Sequence, residues 1–451
     1  MYPLTFKQAA DLLGQRRSDQ NLISKVIIDS RDAEAECLFF ALPGSNVDGH
    51  DFVDDVLKAG GYAVVRRGYG RGERTIEVDD PLTALQKLAQ YQLKQIDIPV
   101  VAVTGSNGKT TTKDFTAAVL EAKYSVWKTQ GNYNNEIGVP LTILAIEPHH
   151  EIVVLEMGMR GLGEILHLTE IAPPQVAVIT NVNPVHMELL GSLDNIAQAK
   201  AELLEGLRPG GTAVLNGDDH RVRNHASKAG RVLFFGKNAA NQLRAENIRV
   251  DQDGCASYDL LWNDIRVSVS LPVRGVHNVL NSLAAVGVGL QFGIPVSEAA
   301  SALKHVELTG MRFEKEEGKS GITILNDAYN ASPASVRSAL ETLDLMASSG
   351  RKVAVLGDMY ELGSISESAH QEVGRYAAQV CDFLIFVGRF ADYMQKGAES
   401  AGASPSQMKI YHSVEELLSE LEGLINPQDL VLIKASRSVQ LERAAEVLRV
   451  R

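Results

Sequence analysis

Residues 100–112 read Val-Val-Ala-Val-Thr-Gly-Ser-Asn-Gly-Lys-Thr-Thr-Thr: an apolar run, a turn with two glycines, and a Lys-Thr pair placed to open a helix. This is the local chemistry a phosphate requires. Glycine lets the backbone approach phosphate oxygens closely, and the N–H groups at a helix start attract anions. Gly105, Ser106, Asn107, Gly108, Lys109, Thr110 and Thr111 form the expected cradle for ATP. Lys109 would meet the β- and γ-phosphates, and the Thr110 hydroxyl would serve Mg²⁺. The strict G-x-x-x-x-G-K-[ST] spacing fails, because Val103 stands at its first glycine. Glu156 directly follows the apolar run 152–155. A carboxylate at a strand's C-terminal end faces the crevice where open α/β sheets bind ligands, and magnesium–nucleotide chemistry needs such oxygens.

Lys200 is a second, independent signal. Asp194 is an expected N-cap, followed by Ile196, Leu203, Leu204 and Leu207 at helical spacing. At ~100° per residue Lys200 points about 40° from Ile196, inside the apolar stripe. A cation there either snorkels to the rim or loses its charge. A neutral amine can capture CO₂ as a carbamate, turning an amine into a carboxylate-like metal ligand. Further along, His277-Asn278-Val279-Leu280-Asn281 opens a helix after Gly275. Asn can both donate to and accept from adenine's N6/N7 edge, although capping is an equal use for Asn278. Asp29-Ser30-Arg31 ends an apolar stretch, and an Arg there suits a phosphate or a solvated turn.

The elements that would position these groups alternate strand and helix. With 451 residues, and about 150 per domain, three domains are expected. Residues 1–97 read as a small α/β unit with strands near 22–28, 38–41 and 63–65 and a helix over 81–95. Residues 98–312 carry strands at 99–103, 152–155, 176–180 and 212–215 separated by helical patterns, the mark of parallel βαβ units. Residues 313–451 restart the alternation with strands at 322–325, 352–356, 383–387 and 430–433, a Rossmann-like doubly wound sheet. The expected class is therefore α/β throughout.

Forty-four Lys and Arg against 56 Asp and Glu give a net charge of −12, which argues against a coat on nucleic acid or an anionic membrane. Three cysteines with no CxxC pairing fit a reducing, cytoplasmic compartment. No apolar run of about 18 residues is present, so membrane insertion is not expected.

The T-G-x-N-G-K-T form of the phosphate loop resembles that of the Mur ligase family, ATP-dependent enzymes that join amino acids to peptidoglycan precursors. The likeness continues in the G-N-Y-N-N-E-I-G-V-P run 131–140, in D-A-Y-N-A-S-P at 327–333, in G-D-M-Y-E-L-G at 357–363 and in K-A-S-R at 434–437. Ser332 and Ala435 depart from the family's Asn and Gly. The family's D-N-P-R motif, carried by the member that adds the third amino acid, is not found. The resemblance implies D-alanyl-D-alanine as the amine and UDP-N-acetylmuramoyl-tripeptide as the acid. A sister ligase or a folylpolyglutamate synthase is the alternative. It further implies two Mg²⁺ ions contacted by Thr110, Glu156, His186 and a carbamylated Lys200, with Lys109, Lys200 and His186 as the catalytic set. Asn278, Asn281, Arg312, Asp327 and Asn330 would join the loop in holding ATP. Ser30 and Arg31 would face the uridine diphosphate, and Asn134 and Asn135 the peptide end. A monomer is expected.

Overall fold

The computed structural model describes residues 2–44, 47–308 and 313–450. Three sheets follow one another along the chain. The first is four-stranded and wholly parallel, in the order Val26–Ile27, Leu38–Phe40, Tyr62–Arg66, Thr75–Val78. The last of these strands was not anticipated. Its helix Pro81–Ile96 is capped by Asp80, whose carboxylate accepts from Leu82 and Thr83, with proline at the first turn. That helix buries Leu85, Leu88, Ala89 and Leu93 in a core running on into the central sheet.

The central sheet has nine strands. Seven run parallel, the first six in order being Val126–Lys128, Ile152–Glu156, Val100–Thr104, Val176–Ile179, Thr212–Asn216 and Val232–Gly236. Strand Leu243–Val250 pairs parallel to Val232–Gly236, and then Cys255–Trp262 and Ile265–Arg274 extend the sheet antiparallel. The parallel sheet expected from the sequence is thus present, with an antiparallel edge that was not anticipated. Alternation of buried and less buried side chains along 255–262 leaves one face wetter, as antiparallel strands allow.

The third sheet has six strands ordered Glu314–Glu317, Thr323–Asn326, Leu430–Lys434, Lys352–Gly357, Phe383–Val387, Met408–Tyr411. All pair parallel except the first. Helices cover both faces, and each side has its own apolar cluster. Among the described residues no helix is long and apolar enough to cross a membrane.

Candidate active site

The C-terminal ends of Val100–Thr104 and Ile152–Glu156 lie side by side, because the two strands pair in parallel. The chain leaves the first through the loop 105–108 and enters helix Lys109–Leu120 at Gly108, whose φ is 80°. Gly105 is needed for a different reason. A Cβ built there would lie 1.8 Å from Thr180 Oγ1. That approach lets Thr180 donate to the Asn107 carbonyl at 2.7 Å, while Asn107 N donates to Asn181 Oδ1 at 2.9 Å. Ser106 Oγ donates to Asn183 O at 2.9 Å. The loop is thus fastened to the span that follows Val176–Ile179.

Lys109 Nζ folds over this loop, 3.0 Å from Gly105 O. Thr110 Oγ1 donates to Glu156 Oε2 at 2.7 Å, and Asn134 Nδ2 to Glu156 Oε1 at the same distance. Glu156 is 2% exposed and is the last residue of its strand rather than the first beyond it. A hydroxyl and a carboxylate are hard oxygen donors, and Mg²⁺ is held by one or two such groups plus phosphate oxygens and water. Thr110 and Glu156 fit that ion. Among the described residues no three His, Cys, Asp or Glu side chains gather into a denser cluster. Asn107 Nδ2 is buried with no hydrogen-bond partner among the described residues, a donor suited to a phosphate oxygen.

These groups open on one cavity of about 930 Å³ between the central and third sheets. It gathers Ser106 to Thr111, Asn134, Asn135, Glu156, His186, Asn278 and Asn281 from the central part, and Asp327 and Asn330 from the third. Asn278 donates to Arg274 O at 2.6 Å and accepts from Asn281 Nδ2 at 2.9 Å. It opens helix Asn278–Gln291 without capping it through its side chain. Asn281 Oδ1 also accepts from Thr112 Oγ1 at 3.2 Å, which ties this helix to the phosphate-loop helix. Across the cavity Asp327 is paired to the buried Lys434 at 2.6 Å. His277 meets Ser338 Oγ at 2.9 Å, and burial pushes its pKa down to about 4.

Lys200 does not line the cavity. It is 2% exposed on helix Leu193–Glu205, and burial, with Lys109 nearby, holds its amine well below the usual lysine range. The helix is capped by Ser192, which accepts from Asn195 N at 3.1 Å; Asp194, expected as the cap, lies in the first turn. Ser30 and Arg31 also stand apart from the cavity, in a short turn of the first domain. There Arg31 Nε donates to Asp29 at 2.9 Å, and its side chain is 87% exposed. Arg312 lies outside the described residues.

Three features were missed in the sequence. Lys113 and Asp114, both 1% exposed, sit beneath the loop, with Lys113 Nζ donating to Thr129 O at 2.8 Å. Thr129 Oγ1 in turn accepts from Glu156 N at 3.0 Å, so the buried pair braces the carboxylate's strand end. The signal was a charged Lys-Asp pair inside a Thr/Ala-rich helix. Ser332, the departure from the family pattern, caps helix Pro333–Leu345 and donates to Asn107 Oδ1 at 3.0 Å, joining the third domain to the phosphate loop. Glu361 contacts His186 Nδ1 across the same interface.

A nucleotide cavity closed by a second, Rossmann-like sheet defines an ATP-using enzyme of the three-domain ligase type. The chain belongs to the Mur ligase family. Residues 103–289 match the Mur ligase middle domain, 311–437 the Mur ligase glutamate ligase domain, and 22–92 the Mur ligase family catalytic domain. The chain is 37% identical over 457 residues to the UDP-N-acetylmuramoyl-tripeptide–D-alanyl-D-alanine ligase of Bacillus subtilis, covering 99% of both chains. The Escherichia coli enzyme of that name is 34% identical, again over 99% of both. Among solved structures, MurF from Acinetobacter baumannii superposes with a TM-score of 0.90 at 30% identity, over 99% of this chain and 98% of that one. MurF ligase from Thermotoga maritima in complex with ADP gives 0.84 at 32%, over 94% and 97%. The family and the α/β three-domain class expected from the sequence are both borne out.

Proposed function

We propose that this ATP-dependent ligase joins D-alanyl-D-alanine to UDP-N-acetylmuramoyl-tripeptide, releasing ADP and phosphate in peptidoglycan synthesis. The observation that carries the reading is the single cavity holding Lys109, the Thr110–Glu156 pair and, facing them, Asp327 and Asn330. The full-length likeness to ligases of that name favours this dipeptide over another amino acid or a folate. The precursor's terminal carboxylate attacks the γ-phosphorus of ATP. An acyl phosphate forms as the bond to the β-phosphate oxygen breaks. The dipeptide amine then attacks the acyl carbon, and phosphate leaves with its oxygen while the amine loses a proton.

Each residue has a task in this sequence. Lys109 neutralises charge on the phosphoryl group in transit, as a preorganised cation at a low-dielectric site does. The loop amides and Asn107 hold the phosphates. Thr110 and Glu156 would hold Mg²⁺, which supplies further charge neutralisation when bound. Asn278 and Asn281 are placed for the base, and Asp327 and Asn330 reach the nucleotide from the third domain. Asn134 lines the large cavity, and Asn135 lies where it meets a smaller one of about 470 Å³ beside helix Pro81–Ile96, a route for the peptide end. Ser30 and Arg31 hold the uridine diphosphate on the first domain, residues 1–97, with 98–312 and 313–451 as the central and third units. Lys200, buried without a carboxylate neighbour among the described residues, takes up CO₂ as a carbamate, losing one proton. A second Mg²⁺, His186 as a further metal contact, a cytoplasmic location and a monomeric state complete the proposal.

The test is ADP release over a panel of UDP-linked peptides and dipeptides. Full turnover requires the tripeptide precursor and D-alanyl-D-alanine together. Release that needs neither would mark a conformational ATPase and end the proposal.

A further inference from the structure

Residues 357–363 have no task in the reaction proposed above, yet Glu361 among them reaches across to the central domain. Glu361 extends one carboxylate oxygen to His186 Nδ1, and its other oxygen lies 3.9 Å from Arg160 Nη2. Its carbonyl accepts from Glu188 N at 3.3 Å, so backbone as well as side chain is joined. Both partners adopt left-handed backbone, with φ of 54° at His186 and 62° at Glu361. Non-glycine residues hold that conformation only where their surroundings over-determine it. Gly363, at φ 58°, allows the two segments to meet, since a Cβ there would lie 3.0 Å from Glu188 Cα.

An ionised carboxylate can only accept. The hydrogen between the pair therefore sits on Nδ1, which leaves Nε2 as the ring nitrogen not engaged by Glu361. His186 lines the cavity, and Glu361 belongs to the third domain. We propose that Glu361 is a positioning residue for His186: docking of the third domain fixes the ring's orientation and tautomer, so the histidine is ready only when the cavity is covered. This rests on the reading of His186 as a working residue of the cavity. Carboxylate partners of functional histidines act in this way, and their loss costs about 10- to 100-fold.

The experiment combines histidine-selective ¹⁵N NMR with a kinetic cycle on the full chain. In the wild type the His186 ring should show the Nδ1–H tautomer, and in Glu361→Ala it should shift toward Nε2–H or a tautomer mixture. Glu361→Ala should lower kcat about 10- to 100-fold with the ATP KM changed less than about threefold, and Glu361→Gln, which keeps an acceptor, should recover part of it. In a His186→Ala background the Glu361 substitution should add almost nothing. An unchanged ring spectrum, or a full additional loss in that background, would overturn the positioning role. If His186→Ala alone retains wild-type turnover, the histidine's own assignment fails instead, whatever its tautomer. Should Glu361→Ala not fold, Glu361→Gln carries the same spectral comparison, with loss of the ring signature expected to be partial.

Discussion

At the scale of single residues, the buried Lys200 and the half-buried His277 make contrasting predictions. Burial holds the Lys200 amine well below the usual lysine range, toward the neutral state in which an amine reacts with CO₂. Lys200→Ala should abolish acyl-phosphate formation, and a short carboxylic acid in the buffer should restore part of it. Stripping CO₂ from the wild type should lower activity, and bicarbonate should return it. An enzyme indifferent to CO₂, together with a variant never rescued by carboxylate, leaves Lys200 as a packing residue. His277 is neutral for the same reason, with a folded pKa of about 4 against an ordinary 6.5. Between those values the unfolded chain binds the extra proton, so stability falls as pH drops. At ~1.4 kcal/mol per unit, the loss from pH 7 to pH 5 is about 2 kcal/mol. His277→Gln should flatten the acid limb by that amount in urea unfolding; parallel curves for the two proteins would show that this histidine does not titrate as described.

Elements explain why part of the site could be read from sequence and part could not. The phosphate loop was legible because strand, glycine turn and helix are contiguous, and Glu156 because a strand end is a local feature. The Lys113–Asp114 brace and the Asn181 and Asn183 fastenings depend on which strands neighbour one another, and periodicity does not carry that. The ribbon 243–274 had a readable alternation, but its antiparallel pairing follows from hairpin contacts rather than from any single strand. Glu361 and His186 are 175 positions apart, and no spacing rule connects them. The burial of Lys200 was legible from its helix face, although the helix is capped by Ser192, two residues before the expected Asp194. The loop's fastening is itself testable. Gly105→Ala places a methyl against Thr180 Oγ1 and must push apart the strand end and the span that holds Asn107. Overpacking of this kind costs about 1–3 kcal/mol, and here it also displaces the phosphate cradle. ADP affinity measured by calorimetry should fall at least about tenfold, a loss of ~1.4 kcal/mol. Wild-type affinity would mean that the close approach is not what shapes the loop.

For the whole molecule the question is what the nucleotide connects. The groups proposed to hold it come from two separately packed domains, the loop 105–111 on one and Asp327 and Asn330 on the other. Direct protein contacts across the gap include Ser332 to Asn107, Ser338 to His277 and Glu361 to His186. A ligand that binds both faces stabilises the docked arrangement by its differential affinity for it, and by nothing else. Hydrogen exchange measures this directly. With magnesium and ADP at a hundred times Kd, linkage offers about 2.7 kcal/mol, or roughly 100-fold slower opening. Amides across 105–120 and across 327–345 should both gain protection, while those in the four-stranded first sheet should change little. Lys109→Ala lies wholly in the central domain, yet at the same ADP concentration it should remove the protection from residues 327–345 as well. Protection confined to 105–120 in the wild type would place the nucleotide on one domain alone, and the third domain would then dock without its help.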